Sequence, residues 1–223
     1  MIIGILLILF LILFVIPEAA YQTYAFDRSI QSKLETKRAY SDSINRISWV
    51  ANDGYDEYEV APLMPWHTPI CLFNVHRNNQ CTNEAVLKAA KLLALKQQKQ
   101  QKSRNLIFQV EYWFHYIWLS RNASVPQVIK INLDLTYFGS GQIGIEKASQ
   151  FYLNKPVSEI TVPEIIALLS ISPPSMRTCK SIRESKAKLT RSLESKGVIT
   201  RKTSEEIVKT PLPKKIVESC EKK

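Results

Sequence analysis

Glycine is scarce in this chain, with 6 among 223 residues, and apolar residues recur mostly at helical rather than alternating spacing. Together these exclude an all-β fold. No Cys-x-x-Cys pair and no Cys/His cluster of zinc-ligand spacing is present, which excludes a zinc module. No internal repeat is visible. Basic stretches carry no interleaved aromatics and no nucleic-acid-binding motif, so no nucleic-acid partner is expected. No Lys or Arg precedes the first apolar run. What is abundant is apolar: 45% of residues are hydrophobic, which excludes a disordered chain and allows one domain with its own core plus extras.

The apolar run Ile2–Ile16 spans about 22 Å as a helix, short of a ~30 Å hydrocarbon core, and Pro17 to Tyr21 extend it. It reads as an uncleaved membrane anchor or as a cleaved signal peptide. The missing basic residues before it, and Glu18 within an Ala-x-Ala site ending at Ala20, favour an anchor over residues 1–21. Arg28, Lys33, Lys37 and Arg38 follow it, and by the positive-inside rule they place the body in the cytoplasm.

Charge is unevenly spread. Net charge is +10, and residues 177–223 hold 14 Lys/Arg against 6 Glu. A second block, Lys88 to Arg104, has 6 basic residues and no acid. Such blocks suit anionic lipid or a pyrophosphate, or are simply solvated helix faces. Cys71, Cys81, Cys179 and Cys220 are an even set; disulfides with Cys71–Cys81 as the favoured pair, and free thiols, both fit.

Helices are expected over Arg28–Arg46, Glu84–Gln100 with Thr82 or Asn83 as its cap, Leu106–Leu119, Pro126–Asp134, Ile145–Leu153, Val162–Ser170, Lys180–Lys196 and Ser204–Lys209. Leu106–Leu119 is apolar almost all round, which predicts a central core helix. Asn52–Thr82 reads as irregular, and Gly139, Gly141 and Gly144 mark a tight loop. Gly197 fits a helix C-cap.

Glu111 and His115 stand four apart on the otherwise apolar helix, hence on one face. They are either a self-satisfied core pair or a carboxylate held for acid–base work. Asp53, Asp56, Glu57 and Glu59 are a solvated acidic loop or the source of a second carboxylate; they lack EF-hand spacing. The Gly139-Ser-Gly-Gln-Ile-Gly match to a dinucleotide fingerprint does not follow a buried strand. Asn122-Ala-Ser is a glycosylation sequon, meaningful only in a eukaryotic secretory protein.

The stretch Tyr137-Phe-Gly-x-Gly-x-x-Gly-Ile-Glu146, with Leu133-Asp134 before it, resembles the C-terminal motifs of the peptidoglycan glycosyltransferases. Ala148, Phe151-Tyr152, Lys155, Ile160-Thr161, Glu164 to Leu169 and Pro173-Pro174 continue the likeness, which runs from about Glu111 to Leu212. It implies a mainly α, lysozyme-like glycosyltransferase domain over 22–176, behind one N-terminal transmembrane helix and before a basic helical segment, 177–223. It implies glycan-strand polymerisation from lipid II, on the periplasmic side of the inner (plasma) membrane. That placement opposes the one read from charge. Implied partners are lipid II or the growing strand, the membrane and cell-wall synthases; the implied cofactor is a divalent cation, Mg or Mn.

Carried over residue by residue, the resemblance gives Glu111 the place of the motif Glu on the central helix. The Arg-Lys that belongs before it falls on Ile107 and Phe108, leaving Lys102 and Arg104 as substitutes. Lys91 matches a trailing Lys, and Asp134, Tyr137 and Gly139 match substrate-side positions. The family's general base falls on Asn52, which cannot accept a proton, so Asp53 is the candidate base, with Asp56 and Glu57 behind it. The Gly-x-Ser-Thr-Ile-Thr-Gln-Gln motif is absent. A degenerate relative, binding lipid II or a synthase as a scaffold, is the alternative.

Overall fold

The helix starts of this chain are built by its hydroxyl and amide side chains. In a computed structural model that describes residues 4, 8, 11–25, 40–52, 58–63, 83–98, 106–172 and 178–221, Ser41 caps α2 (Asp42–Ala51) by accepting from the Ile44 N–H, where α1 is Ile16–Ala25. Asn83 caps α3 (Glu84–Gln98) through Val86. After α4 (Leu106–Asn122), Ser124 and Gln127 box the start of α5 (Val125–Leu135). Beyond α6 (Ile145–Leu153), Thr161 and Glu164 box α7 (Val162–Ile171). Thr178 caps α8 (Cys179–Ser195) and Thr200 caps α9 (Arg201–Lys209), ahead of α10 (Lys214–Glu221). Each such cap contributes on the order of 1 kcal/mol. Among the described residues no strand forms beyond the single Tyr137–Ile143 bridge.

The core has two layers. In the first, α3 packs on α4 and α5. Ala85, Ala89, Ala90 and Ala94 of α3 are fully buried, as are Leu119, Val128 and Ile129 on the two helices it packs against. In the second, α2 and α8 pack on α7, whose residues Ile165 to Ile171 are all buried. α10 lies against α6 and α8 and is fastened by the Cys179–Cys220 disulfide. Cys71 and Cys81, the favoured pair on sequence, lie outside the described residues.

Several expectations change. The helix expected over Arg28–Arg46 begins at Asp42 among the described residues, because Ser41 supplies the cap there. The helix read as core all round is core only in its C-terminal half: Tyr116 to Ser120 are buried, whereas Gln109 and Val110 are exposed. α10 lies beyond the helices expected from sequence and beyond Leu212, where the family likeness stops; its Ile216 and Cys220 are buried.

No helix among the described residues is long and apolar enough to cross a membrane. Residues 11–25 are helical, with a π turn over Leu11–Val15 just before Pro17, and Leu11, Ile12, Val15 and Ile16 are exposed. The helix runs on to Ala25 and packs against α4. Tyr21 is buried, and Glu18 takes Arg121 of α4 in a two-pronged ion pair at 2.9 Å. Arg121 also lies 4.6 Å over the Tyr21 ring and donates to the Leu63 carbonyl at 2.7 Å, joining three segments.

Burial alone would raise the Glu164 carboxyl, but hydrogen bonds from Lys155 and Thr161 prevail and hold it below its ordinary value. A depressed carboxylate adds stability above its unfolded pKa and loses it as pH falls through the folded value. The drop in melting temperature between pH 7 and about pH 3 is therefore expected to shrink in a Glu164→Gln variant. An unchanged acid drop would contradict this.

Candidate functional site

The loop between α5 and α6 is the most specified non-helical backbone among the described residues. Gly139, Ser140, Gly141 and Gly144 all have positive φ. Phe138 is fully buried, and its N–H and the Gly144 N–H close the loop on Gln142 and Thr136 at 2.8 and 2.9 Å. The Tyr152 hydroxyl donates to the Phe138 carbonyl at 3.1 Å. Tyr137 is left facing solvent, 52% exposed, its hydroxyl accepting from the Gly141 N–H.

Asp134, at the end of α5, is fully engaged. One carboxylate oxygen accepts from the Tyr40 hydroxyl at 2.6 Å and the other from Lys130 at 2.9 Å, with the Lys130 ammonium 5.2 Å from the Tyr40 ring centre. Burial first, then Asp134, drives the Tyr40 phenol well above its ordinary pKa. The result is a latch holding the start of α2 against α5. Lys155 is a second one: it pairs with Glu164 at 2.7 Å, tying the end of α6 to the capping box of α7.

At its other end α2 opens on a cavity of about 370 Å³ between α3, α7 and α8. Asn52 is buried in its wall. Its amide nitrogen donates to the Ser48 carbonyl at 2.6 Å, and its carbonyl oxygen accepts from the Lys88 ammonium at 2.6 Å. Glu84 and Lys188 add charges of both signs, Ser172, Ser185 and Ser192 add hydroxyls, and Leu169 and Leu189 an apolar surface. Glu84 also faces Tyr112 of α4, whose phenol is pushed up to about 12 by burial and then by that carboxylate. The cavity can accept a polar, hydroxyl-bearing ligand with an anionic part.

Glu111 is half-buried, next in sequence to Tyr112. His115 is buried, with its Nε2 at 2.7 Å from the Gln97 side chain. Lys91 is exposed on α3, and Gly139 is held by the loop above, its missing Cβ leaving room for the Tyr152 hydroxyl. Asp53, Asp56, Glu57, Lys102 and Arg104 lie outside the described residues, while Glu59 is exposed. Among the described residues no three His, Cys, Asp or Glu side chains gather to hold a metal. Sequence reasoning missed Glu84, Lys88 and Lys188. The first two have the i, i+4 spacing of one helix face, but nothing local points to Lys188.

A family described as transglycosylase matches residues 87–199, about half of the chain. Penicillin-binding protein 2D of Bacillus subtilis is 31% identical over 126 residues, which cover 51% of this chain and 18% of that protein. Penicillin-binding protein 1A of Rickettsia prowazekii is 33% identical over 99 residues, 42% of this chain and 13% of that one. The biosynthetic peptidoglycan transglycosylase of Mannheimia succiniciproducens is 24% identical over 116 residues, 44% and 46% respectively. The chain thus spans less than half the length of each of these relatives.

Proposed function

Because the chain belongs to the transglycosylase family, we propose that it builds peptidoglycan glycan strands from lipid II at the extracytoplasmic face of the inner membrane. What carries this reading is the family match over 87–199, which takes in Glu111 and the whole 136–144 loop. The Cys179–Cys220 disulfide supports an oxidising compartment and so weighs against the cytoplasmic placement read from charge. The exposed apolar side chains of Leu11, Ile12, Val15 and Ile16 are consistent with a single N-terminal anchor over 1–21.

In this reading the acceptor sugar 4-hydroxyl attacks the anomeric carbon of the donor. The bond to the lipid pyrophosphate breaks, configuration inverts, and a carboxylate receives the hydroxyl proton. Asp53 is the base and Glu111 the second carboxylate. Lys91, Lys102 and Arg104 meet the departing pyrophosphate, whose charge they stabilise. Tyr137, with the backbone at Gly139, borders the glycan; Asp134 acts through its latch on α2. A divalent ion is proposed with the pyrophosphate, but the described residues supply no cage for it, so no step is assigned to it.

One observation favours a second reading. At the position where the resemblance expects the base, Asn52 has its carbonyl oxygen filled by Lys88. A carboxamide so held takes no proton, which suits a relative that binds lipid II beside a cell-wall synthase without turning it over. Labelled lipid II in detergent with Mg or Mn separates the two. Polymer from the unaltered chain, reduced at least roughly a hundredfold by Glu111→Gln and by Asp53→Asn, is the expected result. Saturable lipid II binding with no polymer under any metal would replace the enzyme by the scaffold.

A further inference from the structure

On the opposite face of α8 a lysine is buried, and no counter-charge pairs with it among the described residues. Lys186 is 5% exposed, and its ammonium donates to the backbone carbonyl of Thr210, the C-terminal cap of α9. An ammonium has three donors, so one carbonyl leaves two to be met. Burial is the influence acting on this group, and it pushes the pKa down. The neighbouring acid, Glu184, lies 4.0 Å from Lys180.

The same side chain lines a cavity of about 450 Å³ between α8 and the 208–212 segment, within the ~300–1,000 Å³ typical of small-ligand sites. Ala187, Val208, Pro211 and Leu212 make its walls apolar, while Arg183 and Lys209 add cations and Glu184 a single carboxylate, so that with Lys186 the lining keeps a net positive charge. Phosphate sites gather backbone N–H groups and hydroxyls. Here Pro211 has no N–H, and the Thr210 hydroxyl is given to the Glu206 carbonyl at 2.8 Å. A carboxylate suits the place better. Its single charge neutralises the single buried cation, its two oxygens match the donors left over, and Arg183 brings a planar fork.

We propose that this cavity binds a free carboxylate carried on a short apolar chain, such as the C-terminus of a peptide of small residues, with Lys186 as its charge partner and Arg183 beside it. Capping the α9 C-terminus explains a cation near Thr210, but it requires neither the cavity nor the second and third cations. The site lies away from Asn52, on the other side of α8, so its outcome does not depend on lipid II.

The test titrates the full chain with N-acetyl-Ala-Ala, with its C-terminal amide, and with inorganic phosphate, following the backbone amide signals of 183–187 and 208–212. Saturable shifts with the carboxylate, and binding about tenfold or more weaker for the amide, are expected. Arg183→Ala, an exposed change, keeps the fold and weakens the carboxylate severalfold. Lys186→Met, of similar volume and checked by its melting curve, erases the preference for carboxylate over amide. Equal binding of acid and amide, binding of phosphate alone, no shifts at these residues, or a preference surviving in Lys186→Met would each overturn the proposal.

Discussion

Replacing Cys179 and Cys220 with serine is expected to remove about 4 kcal/mol of stability, the chain-entropy value for a loop of this length. The bond closes a separation of 41 residues that contains α8, α9 and most of α10. For a chain of this size that is a fall of about 10 °C in melting temperature. The effect is large because little else holds α10: it is eight residues long, with Ile216 as its fully buried side chain against α6. A helix that short is marginal without tertiary contacts. Melting curves with and without reductant, set beside the double serine variant, measure it. Coincident curves would mean that packing alone fixes α10.

Gly144→Ala is expected to cost about 3 kcal/mol and to disorder the loop bearing Tyr137 and Gly139. Gly144 has φ +89° and ψ 145°, a region closed to L side chains. An added Cβ would also sit 2.8 Å from the Asp134 carbonyl oxygen, which is backbone and cannot swing aside. Gly141 provides the control. It has φ +78°, yet nothing lies within 4 Å of a Cβ there, so Gly141→Ala pays only the conformational penalty of about 1 kcal/mol. Denaturant unfolding of the two variants separates collision from backbone strain. Equal losses would show that the approach to Asp134 is not tight. In the lipid II assay Gly144→Ala is expected to lose far more polymer than Gly141→Ala, because only the former displaces the Asp134 latch and, through Tyr40, the start of α2.

The departures from family pattern bear on one another. Asn52 is not merely a missing carboxylate; it is part of a pair with Lys88, 36 residues away, so the two positions answer each other across the cavity. Restoring an acid there creates a Lys88 ion pair rather than a free base. Asp134, matched to a substrate-side position, has both oxygens occupied by Tyr40 and Lys130. Its substitution is expected to act through the placement of α2, which ends at Asn52.

The sequence alone determined the helical class, most helix starts, the loop glycines and the family. These are local matters: a hydroxyl three residues ahead of an N–H, a repeat of 3.6, or a positive φ are fixed by neighbours along the chain. Even so, it misjudged the half-exposed α4, since an apolar helix is buried only where partners cover it, and α3 and α1 cover its last turns. Only the tertiary structure decided which side chains share a cavity. Lys188 joins Asn52 and Lys88, Tyr40 reaches Asp134 from 94 residues away, and Lys186 is buried although its helix is rich in exposed basic residues. Such contacts depend on how helices stack, and no spacing within one helix encodes them.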